Sequence, residues 1–543
     1  MKTDIKIQFL LPTLIAAVAL LPARPAAAQT FTILHNFTNS PDGADPSAGL
    51  VLSGNTLYGT ATIGGNSGDG TLFANSTDST FTPLYSFTAT GYPVTTNSDG
   101  SGPVAGLILS GNTLYGTAVT GGTYGGGTVY AVNADGTDFT TLYSFPAAPG
   151  GGPNSVGAFP YGGLVLSGNT LYGTAEEGGI DRNGSVFAIT TNSINGAGFR
   201  LVYTLTGGTA DGGFPTAGLV VSGDVLYGTA TIGGSAYDGS VFAVTTNGTI
   251  QPVLHSFSGG NGGGDGSSPA SGLVLSGNTV YGTTPQGGSP GIGDGTVFSV
   301  NTGTLGYSIL HTFAAEGYNG VYTNGDGVNP YAGLVLSGST LYGTANAGGT
   351  NGNGTIFSVT TGGTFKVIHT FLKVAGSYQH LTNSDGINPQ GGLIISGNTL
   401  YGTASAGGEG GSGTVFSLNT DGTGFTTLYS FTPAPYGQPN SDGANPYGSL
   451  VLSNYTIYGT TTTAGNSGNG TVFSLSFLPK LTITLSGTNA ILSWPANFAG
   501  FDYSGFTLQS TTNLNTPVWI NVSGQNSVTN PISGKQIFYR LSH

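Results

Sequence analysis

Seven aspartates head a recurring phrase, Asp-Gly-x-x-Pro-x-x-Gly, at Asp42, Asp99, Asp211, Asp265, Asp326, Asp385 and Asp442, with Val156 at that place in the third copy. Three copies are introduced as Asn-Ser-Asp-Gly, from Asn97, Asn383 and Asn440. Oxygen-bearing side chains at alternate positions partly follow the pattern of calcium loops. A ring of such carboxylates could hold calcium or touch a ligand. The other reading is turn chemistry, in which Asp bonds its own backbone and Gly takes positive φ. Turn chemistry is preferred, because a residue used once per repeat serves the repeat and the alternate oxygens are incomplete for a calcium loop.

Residues that break the pattern point elsewhere. Glu176, Glu177, Asp181 and Arg182 cluster in one Gly-rich loop of the copy that lacks its aspartate. Glu occurs at only two other places, 316 and 409, so an adjacent pair stands out. Paired carboxylates can work on a glycosidic bond, although adjacent residues more often form a solvated loop. His35, His255, His311 and His369 share one repeat position with Tyr85, Tyr143, Tyr203 and Tyr429. Tyr and His exchanging at one site suggests a flat ring with a polar tip, not a catalytic base. Tyrosines in the long loops suit sugar recognition by stacking: Tyr124, Tyr161, Tyr331 and Tyr447, with Tyr92, Tyr237, Tyr318, Tyr322, Tyr378 and Tyr436 beside them.

These residues hang on a unit that begins Gly-Leu-Val-Leu-Ser-Gly-Asn-Thr-Leu-Tyr-Gly-Thr at Gly49 and recurs eight times. Its Tyr-Gly pair advances from Tyr58 to Tyr458 in seven steps, a mean period of about 57 residues. Leu-Val-Leu and Thr-Leu-Tyr-Gly-Thr flank a Gly-Asn turn and predict a hairpin. The apolar run of the first predicted strand lacks a polar face, as an inner strand covered on both sides would. A Gly-rich loop, a Gly-Thr-Leu-Phe strand and an aromatic-x-x-Leu-Tyr/His-Ser/Thr-Phe strand complete four strands per repeat, the content of a propeller blade. Because strands alternate in direction, the Asp-Gly loop and the Gly-rich loop leave each sheet at the same end.

The fourth-strand pattern also occurs before the first hairpin, at Phe31–Phe37, and is missing after Gly470–Phe473. Eight complete sheets then require the first strand to join the last repeat. The expected fold is all-β: an eight-bladed β-propeller closed by its N-terminal strand over residues 29–478, followed by a small β-sandwich over 479–543.

Composition narrows the function. The chain has 543 residues, a formal charge of −13, 98 Gly and no Cys. Between residues 31 and 478 the cations are Arg182, Arg200, Lys366 and Lys373, too few to follow a phosphate backbone, so no nucleic-acid partner is expected. Without cysteine there is no disulfide or thiolate chemistry. The Gly-rich loops lack the Gly-Lys-Ser/Thr ending of phosphate cradles, so calcium is the one cofactor entertained. Residues 1–28 read as a secretory signal: Lys2 and Lys6, an apolar run to Leu21, and Ala26-Ala27-Ala28. No later apolar segment is long enough to span a bilayer, so no membrane insertion is expected.

The repeated unit, followed by Gly-Gly and Gly-Thr-Val-Phe, resembles the Gloeo-Verruco (GloVer) tandem repeat of secreted bacterial proteins over about residues 31–475. The tail segments Leu492-Ser493-Trp494-Pro495, Gly505-Phe506-Thr507-Leu508 and Phe538-Tyr539-Arg540-Leu541 resemble a fibronectin type III-like module. The first resemblance implies an exported or surface protein and supplies no catalytic residues. The sequence thus predicts a monomeric binding or adhesion protein, secreted or on the outer cell surface of a bacterium, with polysaccharide as leading ligand. A carbohydrate-active enzyme on the loop-bearing face and a structural envelope protein are the alternatives.

Overall fold

The computed structural model describes residues 29–543 apart from 92–94, 149–151, 195, 252, 260–263, 289–293, 316, 319–321, 378–379, 435–437 and 532–536, and leaves out the side chains of Tyr318, Tyr322 and residues 377 and 380. Residues 1–28, expected to be a secretory signal, and Tyr92, Tyr378 and Tyr436 lie outside the described residues. All regular elements named among them are β-strands. The chain divides into two compact units, one of residues 32–451 with 458–474, the other of 475–543 with 452–457 and the residues up to 31.

In the larger unit each of the first seven repeats makes a four-stranded antiparallel sheet in sequential order. The first sheet comprises Val51–Ser53, Thr56–Ala61, Thr71–Ser76 and Phe81–Ser86. The hairpin joining its first two strands has Gly54 at φ 56°, and the equivalent residue of the last repeat, Asn454, at 51°. A left-handed first turn residue matches the twist of the flanking strands, which is why Gly or Asn stands there. Counting an eighth of different strand order, eight four-stranded sheets are present among the described residues. In the eighth, Thr30–Asn36 lies beside Thr471–Ser476, followed by Thr456–Thr461 and Val451–Ser453.

Strands two and three, not strand one, are covered on both sides. Leu57 through Ala61 and Thr71 through Asn75 are buried, whereas Val51 and Leu52 are half-buried and Ser53 is exposed. The short first strand is an edge, with only one neighbour to cover it. Period-two alternation then divides strand three between two clusters. Leu72 and Ala74 pack with Leu107, Leu114 and Tyr130 of the second sheet. Phe73 packs with Leu34, Phe37, Tyr458 and Val472. Equivalent clusters join the second sheet to the third, and so on to the seventh. Phe431 of the seventh repeat meets Phe473 of the eighth at 5.4 Å.

The glycine of each Tyr-Gly pair makes room for that strand-three aromatic. A Cβ on Gly59 would stand 2.5 Å from the Phe73 ring and 2.8 Å from Leu50.

The smaller unit contains two three-stranded antiparallel sheets. Thr482–Ser486, Asn489–Ser493 and Ser527–Pro531 form one, and Ile520–Val522, Thr507–Thr511 and Phe538–Ser542 the other. Leu492, Trp494, Phe501, Tyr503, Leu508 and Leu541 are buried there. Arg540 lies 4.1 Å over the Trp519 ring and bonds Gln509 Oε1 through Nε at 2.9 Å.

Candidate binding face

The Asp-Gly loop and the Gly-rich loop of each repeat are joined at one end of their sheet by backbone bridges, such as Ala44 with Ile63, Ala158 with Glu177 and Ala444 with Thr463. This end carries the loop residues singled out from the sequence that are described. Five copies are pinned by an asparagine: Asn97, Asn154, Asn324, Asn383 and Asn440. Asn97 Oδ1 accepts from Gly100 N–H at 2.8 Å and Gly122 N–H at 2.7 Å, tying the two loops together. Asn324, Asn383 and Asn440 make the same bonds.

The seven aspartates are spent on structure. Tyr85 donates to Asp99 Oδ2 at 2.7 Å, and Tyr203 and Tyr429 donate to Asp211 and Asp442 at the same distance. Where the ring is histidine, Nε2 donates instead: His35 to Asp42 at 2.7 Å, His255 to Asp265 at 2.9 Å, His311 to Asp326 at 2.8 Å and His369 to Asp385 at 3.0 Å. Backbone N–H groups of Thr38, Thr88, Thr206, Ser258, Ala314, Leu372 and Thr432 donate to the same carboxylates. Each aspartate's carbonyl accepts from a strand-three hydroxyl, as Asp42 does from Thr71 at 2.8 Å. The aspartate therefore ties strand four of one repeat to strand three of the next. Among the described residues no group of three or more His, Asp or Glu is gathered as metal ligands.

The rings also stack across repeats. His35 lies 3.5 Å from Phe81, Tyr85 3.6 Å from Phe139, and His369 3.6 Å from Phe425, all near parallel. Burial pushes the His35 ring below its ordinary pKa in spite of the Asp42 hydrogen bond. At Asp265 burial pushes the carboxyl up, but bonds from His255 and Ser258 outweigh it and hold the group low. Burial first, then the aspartate bond, pushes the phenols of Tyr85, Tyr203 and Tyr429 upward. This pairing was missed from sequence, although one Asp and one Tyr/His per repeat was a usable signal.

The third repeat differs. Tyr161, Glu176 and Glu177 come together: burial and then the charge of Glu177 push the Glu176 carboxyl up, and burial followed by both carboxylates raises Tyr161. Asp181 and Arg182 are exposed on the same loop. Tyr124, Tyr161, Tyr237, Tyr331 and Tyr447 are all exposed on this end of their sheets, from 39% at Tyr447 to 72% at Tyr237. Tyr331 and Tyr447 belong to distant repeats and each stands after the proline of its own loop, as Tyr161 does.

Several solved structures are similar to the chain at low identity. A europium-containing methanol dehydrogenase matches at 11% identity and TM-score 0.45, over 82% of this chain and 93% of its own. An oligogalacturonate lyase from Vibrio parahaemolyticus matches at 9% and 0.40, over 82% and 93%. A puromycin-hydrolyzing peptidase of Mycobacterium tuberculosis matches at 12% and 0.40, over 79% of this chain, which spans 63% of the peptidase. No curated protein matches the chain. The Gloeobacter/Verrucomicrobia repeat family matches residues 23–231, 92–293, 193–381 and 377–491, and with that coverage of the repeats just described, the chain belongs to this family.

Proposed function

We propose that the protein is a secreted or cell-surface binding protein that acts as a monomer, holds polysaccharide on the loop-bearing end of its sheets, and performs no catalysis. The observation that carries the reading is the display of Tyr124, Tyr161, Tyr237, Tyr331 and Tyr447, exposed among Gly, Ser, Thr and Asn at one end of their sheets. Aromatic faces stack on the apolar faces of sugar rings while the phenol reaches a hydroxyl. The underlying architecture is an eight-bladed propeller shut by its N-terminal strand. Its support is the place of Thr30–Asn36 in the eighth sheet and the packing of Phe37 against Phe73 of the first repeat. The C-terminal unit is taken as a fibronectin type III-like sandwich, in keeping with its two three-stranded sheets. A glycan array probed with the purified protein tests the reading. Binding that weakens in Tyr161→Ala, Tyr331→Ala and Tyr447→Ala supports it, and an empty array removes it.

A second reading has one specific observation behind it. Glu176 is a half-buried carboxyl held above its ordinary pKa beside Glu177 and Tyr161. A carboxyl raised in this way is what a general acid in glycoside cleavage requires. Release of reducing ends that disappears in Glu176→Gln would favour an enzyme over a binding protein.

A further inference from the structure

In seven repeats an aspartate occupies the tip of strand four's Tyr or His; in the third, Val156 replaces it. The loop itself is unchanged. Asn154 Oδ1 still accepts from Gly157 at 2.6 Å and Gly179 at 2.9 Å, and Ser185 still donates to the Val156 carbonyl at 2.6 Å. Val156 instead packs beside Tyr115, Val129 and Leu142. The substitution thus removes one carboxylate from a loop that keeps its shape, and the hydroxyl of Tyr143 makes no hydrogen bond to another described residue.

A cavity of about 630 Å³ opens at that place. Its size falls within the ~300–1,000 Å³ range of small-molecule sites. Ser98, Thr141 and Ser155 line it together with Tyr124, Tyr143 and Ser144, and none of its lining residues is charged. Ser144 Oγ is buried there without a partner. In the first and fourth repeats the equivalent oxygen is satisfied: Ser86 Oγ accepts from Asn66 N–H at 2.8 Å, and Ser256 Oγ from Ser235 N–H at 2.6 Å. A buried polar group without a partner calls for a ligand group or a water to complete it. Tyr124 adds a ring that is 60% exposed at the rim.

Resting on the polysaccharide reading above, we propose that this cavity is the specific subsite of the protein and takes a neutral sugar residue. In this assignment Tyr143 and Ser144 hydrogen-bond the sugar hydroxyls while Tyr124 stacks on its face. A charged sugar would find no counter-ion, and an apolar ligand would strand the hydroxyl groups. The repeat that lacks its aspartate has exchanged an internal tie for an open hydroxyl site.

The test is isothermal titration of the purified protein with neutral hexasaccharides (β-1,4-glucan, β-1,3-glucan, β-1,4-mannan and β-1,4-xylan) and with the anionic oligogalacturonate and oligoalginate. Tyr143→Phe removes only an unpaired hydroxyl, so its melting temperature should match wild type while affinity for the neutral ligand falls at least tenfold. Val156→Asp restores the tie of the other repeats; it should melt at or above the wild-type temperature and also lose at least tenfold in affinity. Wild-type binding that both Tyr143→Phe and Val156→Asp retain would overturn the subsite and leave polysaccharide binding elsewhere on the face intact. Binding of the anionic oligomers alone would have the same consequence. Absence of binding to any of these oligomers, together with an empty glycan array, would overturn both the subsite and the reading it rests on.

Discussion

Each aspartate of the repeat accepts bonds from a ring on the preceding strand and from at least one backbone N–H. Asp99→Ala would strand the Tyr85 hydroxyl and the Thr88 N–H, at a cost of about 1–3 kcal/mol in denaturant unfolding. Calcium competes poorly for a carboxylate whose lone pairs are so occupied, and the melting temperature should not move when calcium is added or chelated. The His35 copy should respond to pH. Its folded pKa lies below the ordinary 6.5, so the folded state resists protonation. The stability this supplies is present above pH 6.5 and is lost as pH falls through the lowered folded value. Asp265, also lowered, loses its share only at more acid pH, below its ordinary 3.8. Tyrosine stands at the His35 position in four other repeats, so His35→Tyr should keep the neutral melting temperature and flatten the decline just below pH 6.5. The raised phenols of Tyr85, Tyr203 and Tyr429 act at the opposite end, where stability is lost as pH rises above the ordinary tyrosine value of 10.0.

Within a sheet, the controlling fit is between strand two and strand three. Gly59 stands opposite Phe73 in the register, and a methyl group there meets both Phe73 and Leu50. Gly59→Ala should therefore destabilise by about 1–3 kcal/mol, the ordinary cost of overpacking. Phe73→Leu in the same chain should recover part of the loss, a coupling that chemical denaturation of the double mutant would read directly. Gly54 offers the contrast, since a Cβ there meets nothing within 4 Å and only its φ of 56° opposes substitution.

For the larger unit as a whole, the contribution of its first strand is decisive. Phe37 is fully buried among Phe73 and Val472, residues from opposite ends of the repeat array. Phe37→Ala should cost about 3–5 kcal/mol, comparable with Phe87→Ala at the equivalent place between the first and second repeats. A strand lying loosely on the surface would lose less than about 0.5 kcal/mol. Equal losses in the two variants are the outcome expected if this strand shuts a ring, as proposed.

The number of sheets, their strand order and the turn chemistry were legible in the sequence, because each follows from local pattern repeated eight times. Gly54-Asn55 between Leu52 and Leu57 specifies a tight turn whatever surrounds it. The Tyr or His of strand four could be recognised as one structural position, but its partner could not. His35 and Asp42 are seven residues apart, whereas Tyr85 and Asp99 are fourteen apart, and no helix or strand period links either pair. Those contacts form only when strand four of one repeat is laid against the loop of the next. Which strand is covered on both faces was likewise a tertiary matter, since Val51-Leu52 is more apolar than its half-buried edge position requires. The sequence by itself determined a tandem all-β array, poor in charge, with one aspartate absent. Packing between repeats decided that this absence leaves Tyr143 unpaired beside a cavity, because an unpaired hydroxyl is defined by what its neighbours fail to supply.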